Sequence, residues 1–221
     1  SGGGGGASGG GTRQVVIGYV SPQTGPLAAF AAADAFIVER VVKALDAKGI
    51  TVDGAKATFR VKRADSQSNP TKAGEVAQAL IATDKVDLMV VAHTPDTTNP
   101  VGAVCEASRT PCISTVAPIG PWLSGGPYEW TYHFFWDLPD IIQVFTGMWD
   151  AVPTNKVVGG LWPNDPDGIA WTGAFTKALT EKGYKVIDPG RYPNLTTDFT
   201  VFIQKWKEAG AEIITGVPIP P

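Results

Sequence analysis

Histidine, cysteine and methionine are scarce in this sequence, with two of each in 221 residues. His93 and His133 are well separated, and neither Cys105 nor Cys112 has a histidine near it, so no metal-ligand spacing is present. Positive charge is not in excess: 18 Lys and Arg against 21 Asp and Glu give a net charge of −3. The basic residues form no stripe or block, which removes the case for nucleic acid or an anionic membrane surface as a partner. No apolar run approaches the roughly 20 residues that span a bilayer. Beyond residue 14 the chain also lacks G-x-S-x-G, a Walker loop, G-x-G-x-x-G and H-E-x-x-H. No catalytic set, metal or cofactor is therefore expected.

What the chain has is apolar sequence in alternating periods. Hydrophobic residues make up 43%, enough for one or two packed domains. Residues 15–20 form an apolar run that breaks at Ser21-Pro22, and Gly25-Pro26 leads into an Ala-rich amphipathic run. Strand, polar turn and helix open an α/β unit, whose first turn borders the ligand crevice in such folds. Phe30, Ile37, Val38, Val41 and Leu45 mark one face of a helix over 27–48, stopped by Gly49. Strands follow at 58–64, 86–92, 112–116 and 132–136, with helices at 70–83 and 100–108 between them. A period of about 25–30 residues points to parallel βαβ units. Prolines and glycines hold most of 117–132 irregular. After Asp137 the alternation restarts, with helices at 138–149, 169–182 and 198–209 and strands at 156–162, 185–187 and 212–217. The expected organisation is a flexible tether at 1–14, one α/β lobe at 15–137 and a second, unfinished one at 138–221. The second lobe shows only three strands and ends on an apolar edge that stable proteins avoid.

The start, SGGGGGASGGGTRQ, is low complexity. It suits a domain held off a surface, as after the lipidated cysteine of a bacterial lipoprotein. A lipid anchor would then lie upstream of Ser1 and be the only tie to a membrane. A cloning remnant is the other reading. Cys105 and Cys112 read either as a disulfide closing a short loop, which favours an extracytoplasmic compartment, or as two buried thiols.

Five turns fall at the carboxyl ends of the expected strands: 21–26, 93–100 and 117–122 in the first lobe, and 163–168 and 218–221 in the second. Facing sheet edges of this kind make a cleft. The motifs SPQTGPLA, DSQSNP, TTNP and CEASRTPCIST, in this order and spacing, resemble the type I periplasmic amino-acid-binding proteins of ABC importers. Branched-chain amino-acid-binding proteins are the best-known members. The resemblance covers residues 15–221. It implies two α/β lobes with parallel sheets flanked by helices, closing about a hinge near Asp137 on a small-molecule ligand. It also implies an extracytoplasmic location, in the periplasm or lipid-anchored at the cell surface, a membrane permease as partner and no enzymatic activity. Family members are about half as long again, and their chain crosses the hinge three times. Only the first crossing is expected here, with the end of the second lobe and the return strands missing. On the extracytoplasmic reading a Cys105–Cys112 disulfide is the expectation.

The resemblance places the family's ligand-binding hydroxyl on Pro95, beside Thr94, and the stretch after the fourth strand on Ala117, Pro118 and Ile119. A proline has no donor, so the usual clamp for an α-amino acid is disturbed. With Trp122, Trp130, Trp136 and Trp162 nearby, an aromatic or apolar ligand, anionic or neutral, is expected. The candidate binding residues are Phe30, His93, Thr94, Pro95, Ala117, Pro118, Ile119, Trp122, Trp162, Asp165, Asp167 and Pro218. His93 reads equally as a structural histidine, and Asp165 and Asp167 as helix caps. Trp149, Trp171 and Trp206 read as packing. One rival is a small α/β hydrolase, using Thr94 or Ser21 with His93. The other is a ligand-sensing regulatory domain of the same fold.

Overall fold

The computed structural model describes residues 11–219, so residues 1–10 of the tether expected over 1–14, and residues 220–221 of the last expected turn, lie outside it. The first half runs β1 (Thr12–Ser21), α1 (Asp34–Lys48), β2 (Thr51–Val52), β3 (Ala55–Asp65), α2 (Pro70–Ala82), β4 (Leu88–Ala92), α3 (Pro95–Ser108), β5 (Cys112–Thr115), α4 (Ile119–Leu123) and β6 (Thr131–Phe134). Its sheet has the order β2-β3-β1-β4-β5-β6. Every pairing is parallel except the short β2–β3 hairpin. The second half runs α5 (Leu138–Asp150), β7 (Val157–Pro163), α6 (Pro166–Glu181), β8 (Lys185–Ile187), β9 (Arg191–Tyr192), α7 (Thr200–Glu208) and β10 (Ile213–Gly216). There β10, β7 and β8 lie side by side in parallel, with β9 pairing the end of β7.

The expected α/β architecture, parallel sheets flanked by helices, is what the chain adopts. β1 and β4 are central, and their carboxyl ends emerge next to each other at Ser21 and Ala92. The first core packs Val20, Met89 and Val91 of these strands against Ala73, Ala77 and Leu80 of α2 and Val101 and Cys105 of α3. Gly18 lets this layer close: a Cβ there would lie 2.3 Å from Met89 Sδ. The second core gathers Ile141, Ile142, Val158, Trp162, Phe175 and Leu179. Burial of each such side chain contributes about 1.5–3 kcal/mol, so both cores are substantial.

Several local expectations are corrected. β1 begins at Thr12, so residues 12–14 are strand rather than tether, paired with Lys56, Ala57 and Thr58. The helix expected from residue 27 is instead a 3₁₀ turn over Ala28–Ala31 followed by α1. The apolar face foreseen for α1 is not a buried one, since Ile37 and Val41 are exposed. The 93–100 turn is short, because Pro95 opens α3 and Pro100 sits inside that helix. Pro95 suits a first helical position, where no N–H donor is needed. The two-residue strands β2 and β9 carry too little periodicity to be read from sequence.

The Cys105–Cys112 disulfide is not formed; both cysteines are free and buried. They face the same core from α3 and the start of β5, at 0% and 1% exposure, and fill it as small apolar side chains. Contact with the Cys105 thiol, together with burial, pushes the Cys112 thiol up. Neither sulfur is then poised to react.

Candidate functional site

The site begins where β4 ends. His93 and Thr94 both have left-handed backbones, with φ of 71° and 64°. Neither is glycine, so each is strained by about 1–3 kcal/mol. Bonds from His93 N to Thr115 O and from Thr94 N to Val116 O hold this pair against β5. The Thr94 carbonyl accepts from Thr97 N and Thr98 N, which starts α3 without a side-chain cap. The Thr94 hydroxyl is thus left free.

Beneath this turn lies Asp34, the first residue of α1 and 3% exposed. Its Oδ1 is 2.9 Å from His93 Nε2. Burial pushes the Asp34 carboxyl up, but the hydrogen bond from His93 and the nearby Ser21 and Tyr19 hydroxyls bring it below its ordinary value. Burial and the Asp34 carboxylate push the Tyr19 phenol up in turn. Phe30 stacks on the His93 ring with centroids 6.4 Å apart. Among the described residues, His93 Nδ1 and Thr94 Oγ1 are buried with no hydrogen-bond partner, and Ser21 Oγ and Asp34 Oδ2 are buried near each other without a well-formed bond. Buried polar groups left unpaired cost about 1–3 kcal/mol each, and these lie together at one sheet edge.

The second half approaches through α6, whose contacts reach α3 and α4. Asp165 caps α6 by accepting from Gly168 N at 2.8 Å, and Asp167 accepts from Trp171 Nε1 at 2.9 Å. Burial, then the charges of Asp165 and Asp96, push Asp167 up to about 7. Burial and the charge of Asp165 raise Asp96 as well. Asp96 belongs to the first turn of α3, so these three carboxylates face one another across the junction of the two halves. Tyr192 stands within reach of the field of Asp165 and Asp167, and its hydroxyl accepts from Ile219 N at 3.0 Å.

The structure therefore brings together Phe30, His93, Thr94 and Pro95, and opposite them Asp165 and Asp167. Ala117 and Pro118 are buried beside them, and Ala117 O is 2.8 Å from His133 Nε2. Ile119 opens α4 and is half-buried. Trp122 is stacked by Tyr128 at 4.6 Å and by His133 at 5.2 Å, so its ring is already occupied by protein. Trp162 is a core residue at 0% exposure, with its indole nitrogen over Gly160 and its ring against Phe175. Pro218 lines a separate groove with Phe145, Met148 and Trp149. Asp34, Tyr19 and Asp96 were missed from sequence. The one available signal was Asp34 itself, the sole charge within the apolar run 27–38.

The chain is thus built of two α/β units of parallel sheets, the architecture in which open α/β folds place a crevice beyond the carboxyl ends of the strands. The chain belongs to the periplasmic-binding-protein family, whose model matches residues 14–221. No curated protein matches it significantly in sequence. Among solved structures it resembles an ABC-transporter solute-binding protein from Rhodopseudomonas palustris in complex with 4-hydroxybenzoate, with TM-score 0.75 and 20% identity over 93% of this chain and 54% of that one. A second, from strain BisB5 of that species and in complex with 3,4-dihydroxybenzoic acid, matches with TM-score 0.75 and 21% identity over 92% and 54%. A leucine-binding protein from Thermotoga maritima matches with TM-score 0.73 and 17% identity over 91% and 55%. The chain thus spans about half the length of these proteins.

Proposed function

We propose that this chain is the ligand-binding part of an extracytoplasmic solute-binding protein that delivers a small organic molecule to the permease of an ABC importer. The ligand lies between the turn at 93–94 and the first turn of α6, and its body is aromatic or apolar. The two units, 15–137 and 138–221, act as lobes that close about a hinge near Asp137. The observation that carries this reading is the group of buried polar atoms that lack a well-formed hydrogen bond at the ends of β1 and β4, His93 Nδ1 and Thr94 Oγ1 among them, with Asp34 beneath them. Family membership supports it, as do the aromatic-acid and leucine complexes of similarly folded proteins.

At the His93 end the ligand presents a neutral or positively charged group, and any carboxylate it has lies away from Asp34. Among the described residues none of Asp34, Asp96, Asp165 and Asp167 is in an ion pair with lysine or arginine, and Asp34 is paired with His93. Among the described residues His93 Nδ1 and Thr94 Oγ1 make no hydrogen bond to each other, so this pair is not set up as base and nucleophile. Native mass spectrometry of the purified protein tests the reading. A retained small molecule released on denaturation is expected, with no turnover of generic esters. Ester hydrolysis that disappears in His93→Ala would favour the enzyme instead.

A further inference from the structure

The two nitrogens of His93 differ in their surroundings. Nε2 lies 2.9 Å from Asp34 Oδ1, whereas Nδ1 is buried with no partner in the protein. An ionised carboxylate only accepts, so the proton of the neutral ring sits on Nε2. Nδ1 then presents a lone pair. Resting on the binding reading above, we propose that Asp34 determines the specificity of this site. By fixing the His93 tautomer it makes Nδ1 an acceptor, which selects ligands bearing an O–H or N–H group at that end.

Three observations support this. Asp34 is held at the first position of α1, directly beneath the strained His93–Thr94 turn, and is almost wholly buried. Phe30 lies against the ring, so the imidazole is braced by a stack as well as by the carboxylate. The Asp34 charge also remains close by, which disfavours a ligand carboxylate at this end and favours a phenolic hydroxyl or an ammonium. Ser21 Oγ and Thr94 Oγ1, each able to donate or accept, can then serve the oxygen or nitrogen that brings the donor. Asp34 acts through His93 and is a positioning residue.

The test pairs a ligand-free readout with a binding one, in the wild type, in Asp34→Asn, which keeps an accepting oxygen, and in Asp34→Leu, which does not. Circular dichroism verifies that each variant folds. Nitrogen-15 spectra of the His93 ring under alkaline conditions should show the Nε2–H tautomer in the wild type and Asp34→Asn, and a mixture in Asp34→Leu. Calorimetry with 4-hydroxybenzoate and benzoate should show a preference of about tenfold for the hydroxylated acid in the first two proteins. That preference should vanish in Asp34→Leu. A dominant Nδ1–H tautomer in the wild type overturns the proposal, as does a preference that survives in Asp34→Leu. Equal binding of the two acids by the wild type overturns it while leaving the binding reading intact. Absence of any binding removes that reading, and the ring spectra still decide the tautomer.

Discussion

Asp34 and His93, 59 residues apart in sequence, are joined by a 2.9 Å hydrogen bond that ties the start of α1 to the end of β4. This contact links the fold to its site. It braces a turn whose backbone is strained at two consecutive residues and which carries the buried, unpaired His93 Nδ1 and Thr94 Oγ1. The pair also has a consequence for stability. Asp34 titrates below its ordinary value in the fold, so its contribution is present above the unfolded carboxylate's pKa and is lost as pH falls through the lower folded value.

His93→Ala should therefore act on stability as well as on binding. It leaves the Asp34 carboxylate buried without its cation-capable partner, at a cost of about 2–4 kcal/mol. Urea melts at several pH values should show stability lost near neutral pH and a flatter acid limb, because without His93 burial carries the folded Asp34 carboxyl back up toward its unfolded value. An unchanged acid limb would mean that the bond contributes nothing to the fold.

Asp167 gives the opposite sign. The fold raises it from 3.8 to about 7, so the folded chain holds a proton that the unfolded chain has released in between. That contribution is full below about pH 4 and is lost as pH rises through about 7. In Asp167→Asn the carboxamide oxygen can still accept from Trp171 Nε1, and the stability decline over this window should flatten. Equal declines in the two proteins would place the titration elsewhere.

Glu106 pins β6 to α3. Its carboxylate accepts from Glu129 N, Trp130 N and Thr131 N, at 2.9, 2.7 and 2.6 Å, which together with burial working the other way leaves it below its ordinary value. Glu106→Ala should destabilise the chain by roughly 1–3 kcal/mol, with faster amide exchange at 129–131 than elsewhere. Uniform exchange across the first sheet would argue against a local pin.

The two cysteines make a direct chemical prediction. Both thiols should resist a thiol reagent in the native protein and both should react in denaturant, because each is buried and free. A count below two in unreduced, unfolded protein would show that a bond forms after all.

The sheets were legible in the sequence because buried parallel strands are near-continuous apolar runs bounded by turn residues, as in residues 86–92. Two helix starts with a side-chain cap were equally clear, where Asn69 accepts from Lys72 N and Asp137 from Asp140 N, whereas α6, capped by Asp165, starts at Pro166 and not at the expected 169. The site was only half legible. His93 and Thr94 could be placed at a strand end, but no local pattern joins Asp34 to them, since that contact exists only once β1, β4 and α1 have packed. Trp122 and Trp162 were expected as ligand walls on the ground that tryptophan suits them. Whether an indole faces a cleft or its own neighbours is a matter of tertiary packing, and here Tyr128, His133 and Phe175 take those faces.

The central claim is that the unpaired polar atoms at the ends of β1 and β4 receive the ligand. Calorimetric titration of the wild type, Thr94→Val and Ser21→Ala with a panel of hydroxylated aromatic acids and aliphatic amino acids tests it most directly. The account predicts binding of at least one member, weakened by about tenfold in Thr94→Val, as the loss of one hydrogen bond requires. Tight binding left unchanged in both variants would contradict it.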